Sequence, residues 1–197
     1  MKRRPASVEH LTKSEIFLRC REKTCCTHDA VYLTGDEIVR VARTLDAAPW
    51  TFTMAVPSEP ADDAFALDHT DLRYRAALTK LPPDAAGERC IFLLRLSEGT
   101  ARCGLGESRP MPCRTFPVEM HEDTLRISAE GCTCRTWSLN DVDPEADRAL
   151  LLAESRSRTG YAGFVRSWNA YVGAAGTELF TYQDFCRFLL DQYAAVR

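Results

Sequence analysis

Residues 90–103 read Cys90-Ile-Phe-Leu-Leu-Arg-Leu-Ser-Glu-Gly-Thr-Ala-Arg-Cys103: an apolar run, a turn signal and a return, with a cysteine at each end. The run from Cys90 to Leu96 suits a buried strand and Ser97-Glu-Gly-Thr suits a turn, so the pattern predicts a hairpin that brings Cys90 and Cys103 together. Cys113, Cys132 and Cys134 follow, Cys20, Cys25 and Cys26 lie upstream, and Cys186 stands apart. Nine cysteines in 197 residues are fewer than a small disulfide-built scaffold carries and more than a cytosolic enzyme normally uses.

The rest of the chain is expected to make its own core, because 45% of its residues are hydrophobic. The N-terminus, MKRRPASVEHLTKSEIF, has basic residues but no apolar run of the kind a secretion signal needs, and IFLLRL and ALLLA are far short of a membrane span. A soluble, cytoplasmic protein is expected. The formal net charge of −3, with Lys2, Arg3 and Arg4 as the only tight basic run, argues against nucleic acid as a partner.

Thr34 and Glu37 form a capping box in front of Ile38, Val39, Val41, Ala42 and Leu45, which predicts a helix. Trp50, Phe52, Met54 and Val56 alternate, as in a strand, and residues 57–68 read as a Pro- and Asp-rich loop. Residues 124–128 alternate again and would deliver Cys132 and Cys134 just beyond their end. Asp143-Pro144 is a helix start, and helices are expected at about 144–157, 159–173 and 181–196, with Gly173 to Gly176 as the main break and Thr181 as the last N-cap. The fold class is therefore α+β: a small cysteine-rich metal-binding core of short strands and loops, packed against C-terminal helices. Residues 1–140 would be the cysteine-cluster domain and 141–197 the helical part of the same unit.

Clustered cysteines in a reducing compartment point to metal ligation rather than to permanent disulfides. With Cys186 set aside in an amphipathic helix, Cys20, Cys25, Cys26, Cys90, Cys103, Cys113, Cys132 and Cys134 supply eight thiolates, enough for two four-thiolate centres or for one with spare thiols. Cys132-Thr-Cys134 would put two sulfurs on one face of an extended segment, whereas adjacent Cys25 and Cys26 would point apart. Three prolines stiffen the loop 109–117, Arg-Pro-Met-Pro-Cys-Arg-Thr-Phe-Pro, around Cys113. Arg109 and Arg114 flank that cysteine and would stabilise an anionic cluster. His28 and His121 read as surface histidines, Gly104-Leu-Gly106 as turn residues, and Tyr161, Phe164, Trp168 and Tyr171 as core at helical spacing. No catalytic residue stands out.

Phe17-Leu-Arg-Cys20 with Cys25-Cys26, then Leu33-Thr-Gly-Asp-Glu-Ile, Cys90-Ile-Phe-Leu, Cys103, the 109–117 element and the final cysteine pair resemble the YkgJ-type cysteine-cluster family. This family is also called the zinc- or iron-chelating CxxCxxCC domain, and the resemblance spans residues 15–136. It implies metal chelation, with iron–sulfur, as one or two [4Fe–4S] clusters, the usual occupant and zinc the alternative. Lys23 stands where that family's opening motif has another cysteine, and the spacing is one residue shorter. The shorter opening resembles that of the flagellin lysine methylases of the FliB type, which implies S-adenosylmethionine-dependent methylation as a further alternative. The chain is short for such an enzyme and has no separate glycine-rich cofactor loop. The leading expectation is an iron–sulfur protein acting in redox chemistry, electron transfer or modification of a protein or peptide partner. The rivals are a zinc-stabilised binding module and an enzyme using its metal as a Lewis acid.

Overall fold

The computed structural model describes residues 13, 24–27, 30–84, 87–96, 101–128 and 137–195. It is α+β, with short antiparallel strand pairs and two long C-terminal helices. Helix α1 covers Thr24–Thr27 and α2 covers Gly35–Leu45; β1 (Thr53–Ser58) pairs with β2 (Arg73–Leu78), and β3 (Lys80–Asp84) with β4 (Gly87–Cys90). Strand β5 (Leu93–Arg95) pairs with β6 (Ala101–Cys103), α3 covers Met111–Thr115, and β7 (Val118–His121) pairs with β8 (Thr124–Ile127). Helices α4 (Pro144–Ala174) and α5 (Tyr182–Ala195) complete the order.

The local signals explain several of these elements. Helix α2 begins after Thr34, whose backbone N–H donates to Glu37, and it buries Ile38, Val39, Val41 and Ala42. Asp143 caps α4 by accepting the N–H groups of Glu145 and Ala146, each at 3.1 Å, with Pro144 in the first turn, where a missing N–H costs nothing. Thr181 donates its hydroxyl and its N–H to Asp184 at the start of α5.

Several sequence expectations change. The run from Cys90 is not one strand: it turns at Ile91-Phe92, so Cys90 ends β4 while Leu93 begins β5. The hydrogen bond from Ile91 N–H to the Thr79 carbonyl, 2.9 Å, holds that turn to the preceding pair. Residues 144–174 form a single helix rather than two, because Gly160 and Gly163 lie in its interior without interrupting it, and Tyr161, Val165, Trp168 and Val172 form one continuous buried stripe. The period-two face of residues 50–56 is not uniformly inward either: Phe52 is buried, while Met54 is exposed.

The core lies between α2, the β1–β2 pair and the C-terminal helices. The Pro- and Asp-rich stretch supplies one of its central residues, Phe65, whose ring stacks on Phe185 of α5 with centroids 3.9 Å apart. Helix α4 grips the backbone beside it: Trp168 Nε1 donates to the Ala66 carbonyl at 2.7 Å, and Asn169 accepts the Ala66 N–H at 2.8 Å and donates to the Ala64 carbonyl. Tyr171, expected in the core, is half-exposed beyond the edge of this stripe. Cys186 is buried on α5 as expected, its thiol pushed up to about 12 by burial. Among the described residues, no helix is long and apolar enough to cross a membrane.

Candidate metal centre

Four of the eight candidate ligands meet at one place. Cys26 from α1, Cys90 from the end of β4, Cys103 from the end of β6 and Cys113 from α3 line a cavity of about 20 Å³. The rest of its wall is mainly apolar, with Leu78, Phe92 and Leu105 among the lining residues, and Arg109 lines it too. Cys90 is buried, and Cys26, Cys103 and Cys113 are half-buried.

Two of these cysteines occupy matching positions, each the last residue of a strand and followed by a turn. The two turns are joined: Gly104 N–H donates to the Phe92 carbonyl at 2.7 Å, and Leu93 lies opposite Cys103 in the β5–β6 register. A side chain at Gly104 would come to 3.4 Å from that carbonyl, and Gly106 completes the second turn at φ +52°, a conformation glycine adopts without strain. The expected proximity of Cys90 and Cys103 therefore comes about through two linked turns rather than the ends of one hairpin.

Cys113 is placed from helix α2. Arg40 donates to the carbonyls of Ser108, at 2.9 Å, and Arg109, at 3.2 Å, while the buried Glu37 carboxylate accepts the N–H of Met111. Glu37 and Arg40 lie three residues apart, so one face of α2 holds the whole entry to α3. Desolvation raises the Glu37 carboxyl, partly offset by the N–H groups of Met111 and Thr34. On the far side of α3, Lys13 Nζ donates to the Thr115 carbonyl and to Asp147 Oδ1, the latter at 2.7 Å. Burial lowers the Lys13 ammonium, and Asp147 partly restores it.

Burial and neighbouring thiols act together on Cys90, Cys103 and Cys113. Burial pushes Cys90 up to about 11, and the nearby Cys26 and Cys103 add to the rise. Cys103 is raised by burial too, with backbone hydrogen bonding from Leu105 and the Arg109 charge working the other way. Cys113 is raised furthest, first by burial and then by Cys26, Cys103, Cys90 and Glu37. Thiols that hinder one another's ionisation are the kind of set that a thiophilic cation relieves, since it ligates them as thiolates and supplies the missing positive charge. The donor chemistry thus fits a metal. The size is more restrictive: about 20 Å³ is close to the room of one water molecule. Among the described residues, no group of three or more His, Cys, Asp or Glu side chains is close enough to hold a metal ion. The four cysteines surround the cavity without closing on a common point.

The other candidates are distributed differently. Cys20, Cys132, Cys134 and His28 lie outside the described residues, and of Cys25 only the backbone, in α1, is described. Arg109 lines the cavity, whereas Arg114 is exposed and does not. His121 is exposed on β7, as a surface histidine would be. Sequence reasoning missed Lys13 and Arg40, and read Glu37 only as a helix cap. The signal for Glu37 was a carboxylate next to the apolar face of an amphipathic helix; for Lys13 there was none.

Comparison with family models finds no match, and neither do comparisons with curated proteins and with solved structures.

Proposed function

We propose that this chain is a metal protein whose centre is built on Cys26, Cys90, Cys103 and Cys113, with Cys20, Cys25, Cys132 and Cys134 completing the donor pool. The observation that carries the proposal is that cysteines from four separate elements, spread over 88 positions of sequence, line one largely apolar cavity. Burial in apolar surroundings with an arginine in the wall suits an anionic thiolate centre, because the dry shell strengthens the charge interactions that hold it.

Iron–sulfur, as one or two [4Fe–4S] clusters, is the leading occupant. It rests on the all-sulfur donor set and on the resemblance to the YkgJ-type cysteine-cluster family. The role would be redox chemistry, electron transfer or modification of a protein or peptide partner in the cytoplasm, where thiols stay reduced. Methylation of the FliB type stays a weaker form of the same proposal. Zinc is the second reading, favoured by the small cavity, which suits one ion better than a cluster.

Anaerobic purification with metal analysis and an absorption spectrum separates the two. Brown protein with about four or eight irons per chain supports clusters, and colourless protein with stoichiometric zinc supports the second reading. Protein that takes up neither metal rejects both. Cys113→Ser should lose the metal, and Cys186→Ser should keep it.

A further inference from the structure

Beside the metal cavity lies a second, wider space of about 290 Å³, at the small end of the range for ligand pockets of about 300–1,000 Å³. Cys113 lines both spaces. The wider one is walled by Tyr32 and Phe116 and carries the side chains of Arg75, Glu154 and Arg158.

These charges are held in a defined order. Arg75 Nη2 and Arg158 Nη1 both donate to one oxygen of Asp63, at 2.7 and 3.3 Å, and the other terminal nitrogen of Arg158 donates to Glu154 at 2.8 Å. The Arg75 guanidinium also lies over the Tyr32 ring, 4.1 Å from its centroid, which fixes its plane. A guanidinium has five N–H donors, so these bonds leave each arginine with donors for a ligand anion. Glu154 uses one carboxylate oxygen on Arg158, and it is near enough to Glu37 to raise that carboxyl. Two guanidinium groups against Asp63 and Glu154 give no net charge. A ligand of single charge would upset that balance, whereas one carrying both signs would be matched at each end.

We propose that this cleft binds an α-amino acid with an apolar side chain, its carboxylate on Arg75 and Arg158, its ammonium on Glu154 and its side chain between Tyr32 and Phe116. The inference stands on the cleft's own residues and does not require the neighbouring metal. It places the amino acid next to Cys113, in the wall shared with the candidate centre.

The test is calorimetric titration of the purified full chain with L-phenylalanine, L-leucine and L-methionine, each compared with its deaminated acid and its decarboxylated amine. At least one amino acid should bind, and its two half-charged analogues should bind about ten-fold or more weakly, as expected for the loss of one charge-assisted hydrogen bond. Arg158→Gln and Glu154→Gln should each weaken binding by a similar factor while keeping the thermal transition of the parent. Arg158 is exposed, so that variant should fold; if it does not, Glu154→Gln decides. The proposal is overturned if none of the three binds, if the acid alone binds as well as the amino acid, or if the folded variants bind like the parent.

Discussion

The Glu37 carboxylate accepts the backbone N–H of Met111, 74 positions further along the chain, and this contact joins helix α2 to the short helix that carries Cys113. Glu37 is 2% exposed, so its bonds have no water to replace them. Glu37→Ala leaves the N–H groups of Met111 and Thr34 without their acceptor. Each orphaned buried donor costs about 1–3 kcal/mol, so the loss of two should destabilise the protein by about 2–6 kcal/mol. Glu37→Gln keeps an acceptor oxygen and should cost less. Urea unfolding of the two variants checks the order, and a loss in Glu37→Gln equal to that in Glu37→Ala would remove the bridging role.

Lys13 and Asp147 pair at 2.7 Å with the carboxylate almost fully buried, and the same ammonium reaches the Thr115 carbonyl at the end of α3. Removing one partner of such a pair leaves the other charge uncompensated, at about 3–5 kcal/mol, while replacing both is far milder. Asp147→Leu alone should therefore be much more destabilising than Lys13→Met combined with Asp147→Leu. The measurement is a double-mutant cycle of Lys13→Met, Asp147→Leu and their combination by chemical denaturation; single losses that sum to the loss of the double variant would show that the pair is not coupled.

Gly35, the first residue of α2, faces the C-terminal helices so closely that a Cβ there would meet Leu189 Cδ1 at 2.9 Å and Tyr161 Cδ2 at 3.0 Å. Both neighbours are buried and have no free direction in which to retreat. Overpacking of this kind costs about 1–3 kcal/mol and outweighs the roughly 1 kcal/mol by which alanine is the better helix residue. Gly35→Ala should lower the melting temperature, and a rise would show that α2 and α5 are less tightly apposed.

Asp184 accepts the Thr181 hydroxyl at 2.6 Å and the Thr181 N–H at 2.8 Å, and these bonds hold its carboxyl below the usual aspartate range. A carboxyl lowered by folding stabilises the folded state above its unfolded value, and that contribution is lost as the pH falls through its folded value. At neutral pH Asp184→Asn should cost about 0.5–1 kcal/mol, the usual scale of a helix-start contact. The difference between parent and variant should shrink as the solution is acidified. Unfolding midpoints measured at neutral and acidic pH test this, and a gap that stays constant with pH would assign the cost to geometry rather than to charge.

Elements whose cause is local were legible from the amino-acid sequence. The Thr34–Glu37 start of α2, the Asp143-Pro144 start of α4 and the Thr181 start of α5 depend on side chains one turn from the backbone groups they satisfy, so adjacent residues suffice to locate them. The nearness of Cys90 and Cys103 was expected from a single hairpin, but the chain turns at Ile91-Phe92, and the two cysteines meet through two linked turns instead. Tertiary structure decided the rest. Cys113 comes to the cavity that Cys26 also lines through contacts over long separations, from Arg40 and Glu37 across to the 108–111 backbone, and no spacing in the sequence encodes such a contact. It also set Phe65, from a stretch with the composition of a loop, against Phe185, because burial depends on what lies opposite a residue in space rather than on its neighbours in the chain.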